Sequence, residues 1–125
     1  MKEFASMEWQ RAKRAYGSAR KLVDDDPDSA VSRAYYAAFH ALTAFFALHE
    51  KTFTKHSAIR SALHRDLIKS GKLDAVQGKN YDYLMDLRET GDYGGLELVT
   101  PEAARIAMEK ADAFIAAIKE LYSQE

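Results

Sequence analysis

Cysteine is absent from the sequence. That excludes a disulfide scaffold, a thiol nucleophile and any Cys-ligated zinc or iron–sulfur centre. Proline and glycine are scarce, 2 and 6 of 125 residues, which disfavours a many-turned β-sandwich or barrel. Neither charge sign is in excess. Lys and Arg number 18 against 19 Asp and Glu, a net charge of −1, so the global basic signature of a non-specific nucleic-acid binder is missing. Long apolar runs are missing too. The stretch from Ala34 to Leu48 is broken by His40 and Thr43 and is shorter than the roughly 20 residues a membrane span needs. The opening MKEFASMEWQRAKRAYGSARK is charged throughout and has no apolar signal-peptide core. A cytoplasmic protein without a membrane partner is expected. HExxH, GxGxxG and GxxxxGK[ST] patterns do not occur, so neither a metal nor a cofactor is expected.

What is present reads as one globular domain over residues 1–125, with 47% hydrophobic and 30% charged residues. Apolar residues recur at helical spacing almost throughout. A first helix is predicted from about Glu3 to Val23, with Ala5, Trp9, Ala12, Tyr16, Ala19 and Val23 on one stripe. The second opens on a start signal: Asp26 as N-cap, Pro27 at the first helical position and Asp28 in the first turn. It runs to about His49 and is apolar around most of its circumference, which makes it the central helix. A third is predicted from Thr54 to Ser70 with Gly71 as C-cap, and a fourth from Asp74 to Glu89. A glycine-containing loop, residues 90–95, is predicted before a fifth helix that starts at Thr100-Pro101-Glu102. Short connections imply antiparallel neighbours. The expected fold is all-α, an antiparallel up-and-down four-helix bundle with a fifth short helix.

The charge is unevenly spread. Residues 1–23 carry six bases against two acids, residues 51–72 six against one, and residues 86–125 nine acids against four bases. This distribution gives either one basic and one acidic face or simply solvated helix faces.

Arg33, Tyr36, His40 and Thr43 follow one another at spacings of three, four and three on the second helix. At about 100° per residue, Arg33 and His40 fall within about 20° of each other around its axis. Such a polar stripe on an apolar helix needs partners, because an unpaired buried charge is costly. Either Arg33 pairs with a carboxylate such as Asp92 and His40 is hydrogen-bonded in the core, or the stripe binds an anion whose geometry suits guanidinium. Arg88, Asp92 and Tyr93 form a second constellation where the fourth helix meets the loop, a place where function often resides. It reads either as a site for base and phosphate or as a helix C-terminus closed by Gly91. His56 lies near a helix start, where it would be an anion donor, a base or a plain surface histidine. Arg33 and His40 are expected to approach Arg88, Asp92 and Tyr93.

The run Ser32-Arg33-Ala34-Tyr35-Tyr36-Ala37-Ala38-Phe39-His40-Ala41 closely resembles the second-helix signature of HEPN domains (higher eukaryotes and prokaryotes nucleotide-binding). The resemblance continues through Lys55-His56-Ser57, Ser70-Gly71-Lys72-Leu73, the segment from Leu87 to Gly94 and the start of the last helix, covering roughly residues 5–122. It implies an all-α bundle that dimerises. It also implies a metal-independent ribonuclease, often a toxin paired with a small nucleotidyltransferase antitoxin, whose motif is Arg, four to six residues, then His. Arg88 matches that Arg. Tyr93 stands where the nuclease carries His, and a Tyr with its ordinary pKa near 10 is a poor base at neutral pH. In antitoxin-modified relatives the motif continues to a Tyr that falls here on Gly95.

The residues and the resemblance together lead to a nucleotide- or RNA-binding subunit, a homodimer with a nucleotidyltransferase-like antitoxin. If it cleaves RNA, Arg88 would stabilise charge on phosphate while His40 or His56 moves protons. Arg33, Tyr36, Asp92 and Tyr93 would bind the RNA or an adenine nucleotide. The alternative is a non-catalytic interaction or nucleotide-binding module. Tyr35, Tyr36, Phe39, Phe45, Phe46 and Phe53 are more aromatics than one small bundle is expected to bury, which favours an interface.

Overall fold

Two proline-marked starts set the frame. Asp26 caps α2 (Pro27–Leu48) by accepting from the Ser29 amide at 3.3 Å, and Thr100 caps α5 (Pro101–Ser123) by accepting from the Ala103 amide at 3.0 Å. The computed structural model describes residues 1–93 and 99–124, and for residues 90–93 it describes the backbone. It is all-helical, with α1 (Lys2–Leu22) ahead of α2, then α3 (His56–Ala62) and α4 (Ala75–Tyr93) between α2 and α5. No strand occurs among the described residues.

Four long helices pack into a bundle around α2, with α3 as the short fifth element. The residues linking α1 to α2 are few, so α2 folds back along α1. Seven alanines of α2 (30, 34, 37, 38, 41, 44 and 47) are wholly inaccessible to solvent. Small side chains let the axes of α1, α4 and α5 press close against α2. Ala5, Ala12 and Ala19 of α1 answer them at a spacing of seven. Trp9 of α1 stacks on Tyr122 of α5, ring centres 5.2 Å apart. Asp28 accepts from the Val99 amide at 3.0 Å, which ties the start of α2 to the approach of α5.

Three local features differ from the sequence-based expectation. Helix α3 starts at His56, two residues later than predicted, with Lys55 as its N-cap. Its continuation, Leu63–Ile68, widens into a π-helical turn, with the Lys69 amide donating to His64 five residues back at 2.8 Å. Gly71, at φ 83°, then reverses the chain. Helix α4 does not stop at Glu89: its backbone stays helical to Tyr93, through Gly91. A mid-helix glycine costs only about 1 kcal/mol relative to alanine, which tertiary packing of the rest of α4 readily offsets.

The aromatics expected to exceed the bundle's capacity find cover inside it. Tyr35, Phe45 and Phe46 are buried, and Tyr36, Phe39 and Phe53 pack half-buried against the core. Those six residues therefore give no independent argument for a dimer.

Candidate functional site

The polar groups of α2 gather on the side facing the start of α3 and the later turns of α4. Arg88 is the centre. It sits on α4 only 7% exposed, with its guanidinium carbon 4.8 Å from the ring centre of Tyr35 and 5.8 Å from that of Tyr36. Its Nη1 donates to the Tyr36 hydroxyl at 3.3 Å. Two electron-rich ring faces partly replace the water that a buried cation loses.

His56 enters from the first turn of α3. Its Nδ1 is 2.7 Å from the Tyr35 hydroxyl, and its ring stacks on Phe39 at 4.4 Å. Tyr81 of α4 donates in turn to the Tyr35 oxygen at 3.4 Å. Burial raises the pKa of both phenols, Tyr81 most strongly, so both keep their protons. Running the hydrogens from Tyr81 to Tyr35 to His56 puts the single proton of a neutral imidazole on Nε2. Burial, then the positive charge of Arg88, then His40 push the His56 pKa below its usual value.

His40 lies one turn along α2 from Tyr36. Its Nδ1 is 3.0 Å from a carboxylate oxygen of Glu8, with the oxygen off the line of the ring N–H, so the contact is mainly electrostatic. Glu8 is itself buried in α1 and also accepts from Arg11 at 3.2 Å. Burial lowers the His40 pKa, and the neighbouring carboxylate opposes that shift without cancelling it. A carboxylate beside Nδ1 favours the tautomer with its proton there, leaving Nε2 as the acceptor. The two imidazoles thus differ: one favours a donor Nε2, the other an acceptor Nε2. Both flank Tyr36, with ring centres 6.2 and 5.9 Å from it.

Of the residues singled out in the sequence, Tyr36, His40, His56 and Arg88 come together around one another. Arg33 does not join Arg88. It is exposed and, with Tyr36 and His40, lines a neighbouring groove of about 480 Å³ between α1 and α2. The side chains of Asp92 and Tyr93 lie outside the described residues, as does Gly95. Sequence reading missed Glu8, Tyr35 as a hydroxyl donor, and Tyr81. Glu8 alone left a signal: it falls three residues after Ala5 and four before Ala12, on the buried stripe.

A second polar cluster is of another kind. Asp82 of α4 takes Arg60 Nε at 2.8 Å and His64 Nε2 at 3.0 Å, and Asp86 lies 3.5 Å from Arg60. It fastens α3 and the π-helical turn to α4. Among the described residues, no three His, Asp or Glu side chains converge as metal ligands would. No described helix is long and apolar enough to cross a membrane.

An all-helical bundle that brings a buried arginine of α4 and histidines of α2 and α3 together beside its central helix belongs to a class of small α-domains whose site is made by helix packing. The particular family is fixed by comparison: the HEPN domain family model matches residues 5–121, and this chain belongs to that family. A "UPF0332 protein" of Thermotoga maritima is 34% identical over 113 residues, covering 90% of this chain and 86% of the relative. The "Putative toxin MJ0142" of Methanocaldococcus jannaschii is 25% identical over 107 residues, covering 85% of this chain and 73% of the relative.

Proposed function

We propose that this chain is the RNA-cleaving, toxin-like member of a pair whose other half is a nucleotidyltransferase-like antitoxin, and that it works as a homodimer on RNA without a metal. One observation carries the chemistry: a buried guanidinium and two imidazoles of unlike tautomeric preference surround Tyr36. In the reaction this arrangement suits, His40 Nε2 takes the proton of a ribose 2′-hydroxyl. The 2′-oxygen then bonds to the adjacent phosphorus and the bond from phosphorus to the 5′-oxygen breaks. The leaving oxygen takes a proton from the imidazolium form of His56. Arg88 stabilises the charge that builds on the phosphoryl oxygens, where a preorganised donor gains most. The products are a 2′,3′-cyclic phosphate and a 5′-hydroxyl. Membership of the HEPN family and the name of the M. jannaschii relative support the toxin-like part of the reading.

A second reading is favoured by Tyr93, which occupies the position where the family's nuclease motif carries His. Under it the same pocket is a non-catalytic module that binds an adenine nucleotide or a partner. Incubating the purified protein with RNA in EDTA separates the two. Cyclic-phosphate ends formed by the parent and not by Arg88→Ala support the nuclease. Intact RNA, together with adenylate retained through purification, supports the binding module. A single species of monomer mass in sedimentation at micromolar concentration would overturn the homodimer.

A further inference from the structure

The groove between α1 and α2 is not needed to explain the Arg88 cluster, yet it opens directly onto it. Its walls are Arg11, Arg14 and Ser18 from α1 and Arg33, Tyr36 and His40 from α2. Three guanidinium groups therefore share one depression, on two helices that pack along their length. Glu8 engages Arg11 from beneath. Among the described residues no carboxylate is within ion-pair distance of Arg14 or Arg33. Two arginines thus line one groove with no counterion among the described residues, in a protein whose overall charge is slightly negative. Net charge does not account for that concentration, which is the kind of local field that draws an anion.

We propose that this groove holds the phosphodiester backbone of single-stranded RNA, with Arg14 and Arg33 gripping its phosphates, and delivers the next nucleotide to Tyr36. The proposal rests on the reading of the Arg88 cluster as an RNA site. The chemistry of the lining selects the ligand. Arginine forks match phosphate oxygens two at a time. Five of the seven residues that line the groove are polar or charged, three of them arginines, and the other two are Ala15 and Tyr36. Tyr36 belongs to both places: its ring borders the groove and its hydroxyl accepts from Arg88. A base stacked on that ring would have its phosphate on the arginines to one side and its ribose beside His40, a common arrangement for strand tracking.

The test measures binding of a short single-stranded RNA with 2′-O-methyl riboses, which cannot be cleaved, by fluorescence anisotropy over a range of salt. R14Q/R33Q is compared with the parent and with R105Q, since Arg105 is exposed and engaged by Asp24 at 3.0 Å. The expected result is affinity at least ~10-fold weaker for R14Q/R33Q. The salt slope should be shallower by about 1.4, at roughly 0.7 for each single-strand phosphate that is no longer neutralised. R105Q should behave like the parent, and unchanged helicity and melting would show that R14Q/R33Q is folded. Affinity and slope equal to the parent's would overturn the groove. So would competition by polyglutamate at equal charge concentration, which would make it an acidic-peptide site, and so would a parent that binds no RNA. Cleavage is read separately on ordinary RNA. Groove-dependent binding with no cleavage leaves the groove standing and removes the nuclease. Arg88-dependent cleavage with indifferent binding does the reverse.

Discussion

The guanidinium carbon of Arg88 stands 4.8 Å from the centre of the Tyr35 ring, while the hydroxyl of that same ring lies 2.7 Å from His56. One phenol thus supports the cation through its face and the imidazole through its edge. The two groups are held in a fixed relation by a side chain that is itself wholly buried.

Replacing Arg88 separates charge from shape. Arg88→Ala should lower RNA cleavage by about 10²- to 10³-fold, the usual loss when a preorganised charge-stabilising donor goes. Arg88→Lys keeps the charge but neither stacks flat on Tyr35 nor offers a fork, and should recover little of that activity. Initial rates in EDTA at a fixed RNA concentration give the comparison. A lysine variant as active as the parent would remove the geometric role assigned to Arg88.

The pH profile follows from the two histidines. Burial leads in lowering both pKa values below 6.5. As pH falls, protonation of His40 removes the base; as pH rises, deprotonation of His56 removes the acid. The rate should therefore be bell-shaped with its maximum on the acid side of pH 6.5. Glu8 raises the His40 pKa, so Glu8→Gln should move the acidic limb to still lower pH. Rates across pH, with histidine titration by NMR for assignment, test both points. A maximum above pH 7 would show that these two histidines are not the pair that sets the profile.

Tyr35→Phe keeps the ring under Arg88 and deletes only the hydroxyl. The Tyr81 hydroxyl, buried and donating to Tyr35, then has no acceptor. Leaving a buried polar group unsatisfied costs about 1–3 kcal/mol, and the unfolding midpoint in urea should fall accordingly. Cleavage should fall as well, because nothing then orients His56 through its Nδ1. Tyr81→Phe in the same background should return part of the stability, since it removes the stranded donor. No recovery would show that the Tyr35–Tyr81 hydrogen bond contributes nothing.

Helix α2 ends on a residue poorly suited to its backbone. Glu50 has φ 60°, while its amide donates to Ala47 at 3.1 Å and the Lys51 amide donates to Phe46 at 3.0 Å. This paired bonding closes a helix through a left-handed residue, a position glycine prefers. An L-residue there costs roughly 1–2 kcal/mol, part of which glycine gives back through its freer unfolded chain. Glu50→Gly should stabilise the protein by about 0.5–1 kcal/mol, with no effect on RNA. Glu50→Val should destabilise it. Thermal or urea melts of the three proteins decide the order.

Local rules make the helix starts legible, because Asp26-Pro27 and Thr100-Pro101 satisfy backbone donors without tertiary help. The polar stripe of α2 is legible for a similar reason: helical geometry alone puts Arg33, Tyr36 and His40 on one side. How that stripe divides is not. Tyr36 and His40 border both the Arg88 cluster and the α1 groove, whereas Arg33 lines the groove, and that division follows from the packing of α1 on α2. The Tyr35–His56 hydrogen bond joins residues 21 apart, beyond the reach of any periodicity. The end of α4 is misplaced by sequence reading because Gly91 suits a helix C-cap, and nothing local signals that the helix carries on through it. The π-helical turn leaves no apolar pattern that distinguishes it from ordinary helix.

The alanines of α2 have a consequence for where sequence change can be absorbed. A methyl group in contact with a neighbouring helix leaves no unused volume behind it, so a larger residue at position 34, 38 or 41 must push a whole helix outward. Tyr35, Tyr36, Phe39 and His40 alternate with those alanines along the same turns. A displacement begun by one added carbon atom on the hidden side of α2 would reach the polar side as a change in the spacing of Glu8 to His40 or of Tyr35 to Arg88. Chemically silent positions, remote from any substrate, therefore act as the spacers that calibrate the site. Variants there would give a folded protein in which His40, His56 and Arg88 no longer stand at their present distances.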